Sequence, residues 1–378
     1  MIGNLDHATL QHLWWLIVSV VGALFVFLTF VQGGQTLLLT TAHDDVEKKL
    51  IVNSLGRKWE LTFTTLVLFG GALFAAFPLF YATSFGGAYW VWMLILATFV
   101  LQAVSYEFRT KPGNLLGART YEAFMFINGS VGLLLVGAAL GTFFTGASFT
   151  LDDYNRVTWL HSLRGLEAAF SLFNLSMGLF LVFLARVLGA LYLCNHIRHE
   201  DLHERLRRAV VINMVIALPF LLYVLVRLVT MDGFAVDPAS GQVTVESFKY
   251  LKNLLGMPVV LIMLVAGLLL VIAGVVMTGK GRSTRGIWPA GVGTVLTALS
   301  LLLTAGFHGS AFYPSAVDPA SSLTIFNASS SHFTLTAMSY VALAVPFVLA
   351  YIACVWRMMD RRKFTTDDLE SENAKNLY

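Results

Sequence analysis

Nine long apolar runs follow one another along the chain. A helix needs about 20 mostly apolar residues to cross the hydrocarbon core of a membrane. The runs do not alternate apolar and polar positions as barrel strands do, and a helix satisfies all its backbone polar groups internally. They lie near residues 13–39, 61–82, 88–106, 123–146, 167–193, 209–231, 255–278, 287–307 and 335–357. The pattern predicts an all-α integral membrane protein with about nine transmembrane helices.

The segments between the runs suggest how the helices are joined. Only residues 83–87 separate runs two and three, and no charge occurs between Glu60 and Glu107, which predicts a tight helical hairpin. The long connection 232–254 is expected to hold a short strand or an interfacial helix. The chain is treated as one transmembrane domain, 1–378, whose polar cytoplasmic end, 360–378, is expected to fray. The first run is too long for a cleaved signal peptide and is interpreted as a retained span.

Lysine and arginine are distributed unevenly among the connections. Most of the 25 basic residues fall in alternate segments, near 48–58, 109–119, 198–208, 280–285 and 357–375, whereas the opposite side has Arg156, Arg164, Lys249 and Lys252. Positive residues favour the cytoplasmic side of a membrane protein. The N-terminus is therefore predicted to lie outside and the C-terminus in the cytoplasm.

The composition agrees with a membrane protein. Apolar residues make up 57% of the 378 residues and charged residues 12%, about half the usual share in soluble proteins. The net charge of +3 comes without a basic stripe, so no nucleic-acid partner is expected. Cys194 and Cys354 lack a CxxC neighbour, so neither a disulfide nor a metal site is expected from them.

The nine histidines are examined as haem ligands. None is expected in the middle of a run, which argues against a haem held by two histidines at mid-membrane depth. A peripheral haem on His12, His161 or His308 is a weaker alternative. His196, His199 and His203 have H-x2-H-x3-H spacing, which would place them on one helical face as a metal site requires. The favoured alternative is a solvated loop, and no metal site is predicted.

Ionisable residues at the edges of the runs are stronger functional signals, because charge is costly at membrane depth. The residues are Glu60, Glu107, Glu122, Arg186 and Arg227. The three glutamates could simply mark the membrane interface. The two arginines could extend to the interface or pair with a carboxylate.

Several segments resemble subunit II of cytochrome bd-type quinol oxidases. The strongest is Gly-Gly-Ala-Leu-Phe-Ala-Ala at 70–76, followed by Phe77 and Pro78. The remaining matches are residues 13–17, 51–54, 59–60, 326–335 and the closing Asn-Leu-Tyr at 376–378.

The resemblance implies two four-helix bundles plus one peripheral helix, in the bacterial cytoplasmic membrane. It implies a heterodimer with a large subunit I that carries haem b and haem d and oxidises quinol, sometimes with a small single-span subunit. The complex reduces dioxygen to water with protons from the cytoplasm. A quinone could also bind in this subunit, and this chain is not expected to be catalytic alone.

The resemblance also identifies candidate site residues. Glu60 takes the place of an acid implicated in proton supply, and desolvation opposed by nearby cations could leave it able to exchange protons. Trp59 beside it and Glu107 are further candidates. The hydroxyls of Thr62, Thr64 and Thr65 could hold water near Glu60. The alternative is that Glu60 pairs with Arg57 or Lys58 at the interface.

Three positions depart from the family pattern. Gln32 and Gln35 stand where the family's first helix commonly has two aspartates, and Gln102 replaces a frequent arginine in the third helix. Any proton route or quinone contact that used those charges is therefore in doubt.

Two other functions are considered. A secondary transporter would explain nine helices and buried charges, and Gly33-Gly34 and Gly70-Gly71 could mark the interrupted helices of such a protein. A purely structural scaffold would differ from the oxidase hypothesis in that Glu60 moves no protons.

Overall fold

The computed structural model describes residues 2–111, 113–238, 240–281 and 283–370. Arg282, Lys375 and the closing residues 376–378, which entered the sequence interpretation, lie outside this range. Residues 2–4 form a short 3₁₀ turn. The α-helices are α1 (His7–Leu28), α2 (Phe30–Thr36), α3 (Asp45–Gly56), α4 (Trp59–Ala76), α5 (Pro78–Tyr81), α6 (Tyr89–Phe108), α7 (Ala118–Ile127), α8 (Leu133–Thr145), α9 (Leu172–His196), α10 (Glu200–Thr230), α11 (Lys249–Gly256), α12 (Pro258–Gly279), α13 (Ile287–Gly306), α14 (His332–Ala342), α15 (Val345–Met359) and α16 (Thr366–Glu370).

Nine helical stretches of the described chain are long and apolar enough to span a membrane, which confirms the predicted number. Spans one to nine, in chain order, are His7–Thr36, Asp45–Ala76, Tyr89–Phe108, Ala118–Thr145, Leu172–His196, Glu200–Thr230, Pro258–Gly279, Ile287–Gly306 and His332–Met359.

Span five lies at the centre of the packing and span nine at the edge. In their most apolar windows, 83% of span five is buried but only 6% of span nine. Glycines let neighbouring backbones approach span five closely: a Cβ at Gly33 would lie 2.0 Å from the Ala185 backbone, and one at Gly137 2.6 Å from Gly178. Small residues at helix contacts are the usual means of tight packing in membranes. Gly33 therefore serves a helix crossing, and α2 continues through it without an interruption.

Spans two and three form a hairpin whose first arm is kinked. Pro78 has no N–H to donate, so the helix breaks at Phe77 and continues through α5 and a π-helical turn at residues 82–86. Ser330 stabilises the break: its N–H donates to the Ala76 carbonyl at 2.8 Å and its hydroxyl to the Ala75 carbonyl at 2.6 Å. Two segments that carry the family resemblance, 70–78 and 326–335, thus contact each other directly.

Two short strand pairs lie in the connections between spans. Phe149–Leu151 (β1) pairs antiparallel with Val157–Trp159 (β2), and Gly233–Val236 (β3) pairs antiparallel with Val243–Glu246 (β4). The connection 232–254 was expected to hold a short strand or an interfacial helix, and it contains a strand pair followed by the start of α11.

The end of the chain differs from the sequence expectation. The Phe364 N–H donates to the His196 carbonyl at 2.8 Å, and the Arg198 N–H donates to the Phe364 carbonyl at 2.9 Å. Phe364 itself is buried. The expectation of a frayed tail is therefore wrong for residues 360–370, because backbone hydrogen bonds and one buried aromatic side chain fix this segment against the end of span five.

Candidate proton-entry site

Glu60 lies in the first turn of α4, at the boundary between the basic connection and the apolar part of span two. Its side chain is exposed, and within the described residues its carboxylate has no ion pair or hydrogen bond. The nearby hydroxyls all donate to backbone carbonyls: Thr64 to Glu60 at 2.7 Å, Thr65 to Leu61 at 2.6 Å and Thr62 to Leu28 at 3.0 Å. Each hydroxyl oxygen still has a lone pair with which to accept a hydrogen bond from water.

Trp59 fixes the start of α4 against the end of α6. Its ring stacks on Tyr106 with centroids 5.8 Å apart and planes 6° apart. Tyr106 is followed directly by Glu107, which is exposed like Glu60. The stack thus places the three sequence-predicted site residues at adjacent ends of two neighbouring spans.

Lys58 pairs with Asp360 and not with Glu60. Its ammonium group is fully buried and donates to Asp360 Oδ1 at 2.9 Å, and it lies 5.2 Å from the ring centroid of Trp356. The Arg57 guanidinium lies over the Phe364 ring at 5.3 Å. Residues 360–370, the docked tail, supply both cations with other partners. Neither cation therefore pairs with Glu60, although the alternative of an interfacial ion pair would require it.

Glu122 has the opposite environment. It is 2% exposed, and its two oxygens accept from Lys48 Nζ at 2.8 Å and from Arg109 at 2.8 and 3.2 Å. Lys48 lies in α3 and Arg109 ends α6, so this carboxylate ties span four to two other elements. Sequence analysis singled out Glu122 but not its partners, since cations that follow an apolar run ordinarily face solvent.

The three amides that depart from the family pattern meet inside the protein. Gln32 Nε2 donates to Gln102 Oε1 at 3.2 Å, and Gln102 Nε2 donates to Gln35 Oε1 at 2.9 Å. Gln35 Nε2 donates to Asn128 Oδ1 at 2.8 Å, and Tyr106 donates to Gln35 at 3.3 Å. All five side chains are buried, and Asn128 opens a π-helical turn of span four. The result is a neutral hydrogen-bonded cluster, the amide cluster, between spans one, three and four.

The two membrane-depth arginines differ from each other. Arg227 is exposed in the last turn of α10, as expected for a side chain that extends to the interface. Arg186 is held by neutral oxygens: it donates to Asn213 at 2.7 Å, Thr36 at 2.5 Å and Thr40 at 3.1 Å. These three neutral oxygens take the place of the carboxylate partner that the sequence analysis considered for Arg186.

The histidine triplet does not form the predicted single helical face. Span five ends at His196 and α10 begins at Glu200, so the helix is interrupted between them. His196 Nδ1 lies 2.8 Å from Ser54 Oγ, His199 accepts from the Leu202 N–H, and His203 Nε2 lies 2.7 Å from the Ile197 carbonyl. His196 is also fully buried, so the solvated-loop interpretation is wrong for this residue.

The other histidines lie near helix ends or in connections. His12 is in the second turn of α1, with its ring 5.5 Å from both Phe307 and Phe326. His161 and His308 lie in connections between spans. Among the described residues, no group of three or more His, Cys, Asp or Glu side chains is arranged to hold a metal ion.

An apolar cavity of about 240 Å³ lies between span one and spans four to eight. Its wall is almost entirely aliphatic and aromatic, and includes Phe144, Met177, Phe180, Met214 and Leu268. Such a wall suits a hydrocarbon ligand and offers almost no polar group to orient a charged one.

Comparison with known proteins identifies the family. The sequence profile of cytochrome bd terminal oxidase subunit II matches residues 10–359. The chain is 30% identical to cytochrome bd-I ubiquinol oxidase subunit 2 of Escherichia coli (strain K12), over 99% of this chain and 100% of that protein. It is 26% identical to cytochrome bd ubiquinol oxidase subunit 2 of Bacillus subtilis (strain 168), over 90% of this chain and 93% of that protein.

A solved structure shares the fold. A chain of the bd oxidase from Geobacillus thermodenitrificans superposes with a TM-score of 0.54 at 12% identity, covering 96% of this chain and 100% of the other. The nine apolar helices of the described chain and the family matches define a multi-pass subunit of the bacterial respiratory chain, located in the cytoplasmic membrane. The chain belongs to the cytochrome bd terminal oxidase subunit II family. Members of this family are subunits of quinol oxidase complexes, which favours the oxidase hypothesis over the transporter.

Proposed function

We propose that this chain supports a haem-bearing subunit I in a quinol:oxygen oxidoreductase and supplies protons to it from the cytoplasm through Glu60. In this proposal the chain is not catalytic alone. The carrying observation is the contrast among its acids: Glu60 is exposed and unpaired within the described residues, whereas Glu122 is buried and neutralised by two cations. A carboxylate that is free of a fixed cation can gain and lose a proton without breaking a structural contact.

The proposal includes the orientation, the bundle arrangement and the partners expected from the sequence. The N-terminus lies outside, spans one to eight form two four-helix bundles, and span nine is peripheral. Subunit I binds haem b, haem d and the quinol, and a small single-span subunit completes the complex. The positions of all nine histidines at or near helix ends or in connections support placing the haems in the partner.

The apolar cavity supports a second role, the binding of a quinone in this subunit. Its almost wholly apolar wall suits an isoprenoid tail, because burying such a chain removes apolar surface from water without leaving polar groups unpaired. This quinone would stabilise the helices around span five.

Replacement of Glu60 by glutamine tests the proton path. Glu60→Gln keeps the shape of the side chain but cannot carry a proton, so the assembled complex should consume oxygen several-fold more slowly with quinol as donor. Glu60→Asp keeps the carboxylate and should retain most of the activity. Oxygen consumption and the haem absorption spectrum are measured on the same preparation, so that loss of assembly is distinguished from loss of turnover.

The matched control is Glu204→Gln, which makes the same chemical change at another exposed acid, in the second turn of α10. It should turn over at the wild-type rate. Wild-type turnover and normal acidification of the outer medium by Glu60→Gln would show that Glu60 is structural and that the proton path lies elsewhere.

A further inference from the structure

An open basin at the inner end of span nine is lined mainly by basic residues. Its volume is about 540 Å³, and its lining includes Arg57, Arg361, Arg362 and Lys363. Among the described residues of that lining, Asp368 is the one carboxylate. The basin therefore carries a net positive charge at the level where span nine leaves the membrane.

The docked tail holds these cations in place. Residues 361–363 lie between Asp360, whose carboxylate accepts from buried Lys58, and Phe364, whose backbone bonds to His196 and Arg198. On the other side, Arg57 is held over the Phe364 ring. The basic residues thus stand on chain that is fixed at both ends, unlike a run of cations on a solvated tail.

The charge in the basin is only partly neutralised. Arg362 pairs with Asp368 at 3.2 Å. Burial raises the pKa of Asp368, but hydrogen bonds from Thr365 and the cations Arg362 and Arg57 outweigh that effect and hold the pKa below its ordinary value. Among the described side chains, Arg361 and Lys363 form no ion pair with a carboxylate, and Arg57 acts on Asp368 only at longer range. A bound anion would neutralise them.

An apolar track leads from the membrane to the same basin. Phe347, Tyr351, Cys354 and Met358 follow one another at i, i+4, i+7 and i+11 and so share one face of α15. Phe347 is 78% exposed, Tyr351 69% and Met358 69%, and Met358 also lines the basin. A molecule seated here would meet cations at one end and a continuous apolar face at the other.

We infer that this basin binds the phosphodiester headgroup of an anionic phospholipid, whose acyl chains lie along the exposed face of α15. Basic pockets at the membrane boundary recognise such headgroups, and each Lys or Arg contributes to their attraction. A bound lipid would cover part of span nine, which contributes little to the protein core.

Lipid binding is measured on the intact complex by native mass spectrometry with added phosphatidylglycerol or phosphatidylcholine. The wild-type complex should retain phosphatidylglycerol in preference to phosphatidylcholine. The double variant Arg361→Gln/Lys363→Gln should bind phosphatidylglycerol about tenfold to thirtyfold more weakly, because each basic residue contributes roughly 1 kcal/mol near a membrane surface. A control, Arg208→Gln/Arg285→Gln, removes the same charge from exposed positions outside the basin and should bind as the wild type does.

A second measurement does not depend on the variants. Phosphatidylglycerol with a photoreactive acyl chain should label the peptide that contains Phe347 to Met358 in the wild-type complex. The inference would be overturned if the basin variant and the control variant bound phosphatidylglycerol equally well. It would also be overturned if the photoreactive lipid did not label α15. The inference would also be overturned if millimolar inorganic phosphate displaced the lipid and bound equally well without it. The basin would then be a site for a free anion.

Discussion

Spans two and four present the same sequence feature in two different environments. Each has a glutamate next to an apolar run, Glu60 in span two and Glu122 in span four. Glu122 is enclosed by Lys48 and Arg109, whereas Glu60 is exposed beside an aromatic stack. An acid at the membrane boundary can therefore be a structural ion pair or a site for proton exchange, and the difference depends on partners that are distant in sequence.

The first prediction tests the structural side of this comparison. Glu122→Gln would leave Arg109, which is 5% exposed, without its counter-charge. Loss of one partner from a buried ion pair commonly costs about 3–5 kcal/mol, and because Lys48 is partly solvated, about 3 kcal/mol is expected here. Thermal denaturation of the purified complex should show the lower stability, together with a lower yield of assembled haem protein. If stability were unchanged, the ion pair would be dispensable and the contrast with Glu60 would fail.

The second prediction concerns the docked tail. Asp360→Asn removes the charge that compensates Lys58, whose side chain is fully buried, and should cost about 2 kcal/mol. It should also make residues 360–370 more accessible to limited proteolysis. Asp367→Asn changes an exposed carboxylate of α16 and should leave both measurements unchanged. Equal proteolysis of the two variants would mean that the Lys58–Asp360 contact does not hold the tail.

The third prediction concerns the amide cluster. Gln102→Leu removes the two hydrogen bonds that Gln102 makes to Gln32 and Gln35. Leaving buried polar groups unpaired costs about 1–3 kcal/mol, so the midpoint of thermal unfolding should fall, by less than for Glu122→Gln. A variant as stable as the wild type would show that the two hydrogen bonds of Gln102 add no stability to the packing of span three against span one.

The number and approximate positions of the spans could be predicted because each depends on a local property, the length of an apolar run. The breaks inside spans were not predicted. The kink at Pro78 is stabilised by Ser330, far away in sequence, and the π-helical turn that begins at Asn128 packs against Gln32, since a Cβ at Gly129 would lie 2.1 Å from the Gln32 carbonyl. Such features depend on neighbours that a single run does not reveal.

The candidate site was predictable only in part, because its residues are marked locally in the sequence but their partners are not. The sequence located Glu60, Trp59 and Glu107 at the ends of runs. It did not reveal the Trp59–Tyr106 stack or that Lys58 pairs with Asp360 across 302 residues. It treated Gln32, Gln35 and Gln102 as three separate departures, although complementary donors and acceptors on three spans join them into one cluster.

The last prediction asks whether the amide cluster and the Glu60 region act together, since Tyr106 contacts both. Tyr106→Phe removes the hydroxyl that donates to Gln35 at 3.3 Å but keeps a ring that can stack on Trp59. One long hydrogen bond contributes little, so the cost should be about 0.5–1 kcal/mol, and oxygen consumption should stay near the wild-type rate. Tyr106→Leu removes the stack as well, which frees the start of α4 to move, and it should slow turnover more than it lowers stability. Slowed turnover in Tyr106→Phe itself, with normal haem spectra, would show instead that the hydroxyl connects the amide cluster to proton transfer. Glu60 would then have to be treated as one end of a longer path through spans one and three.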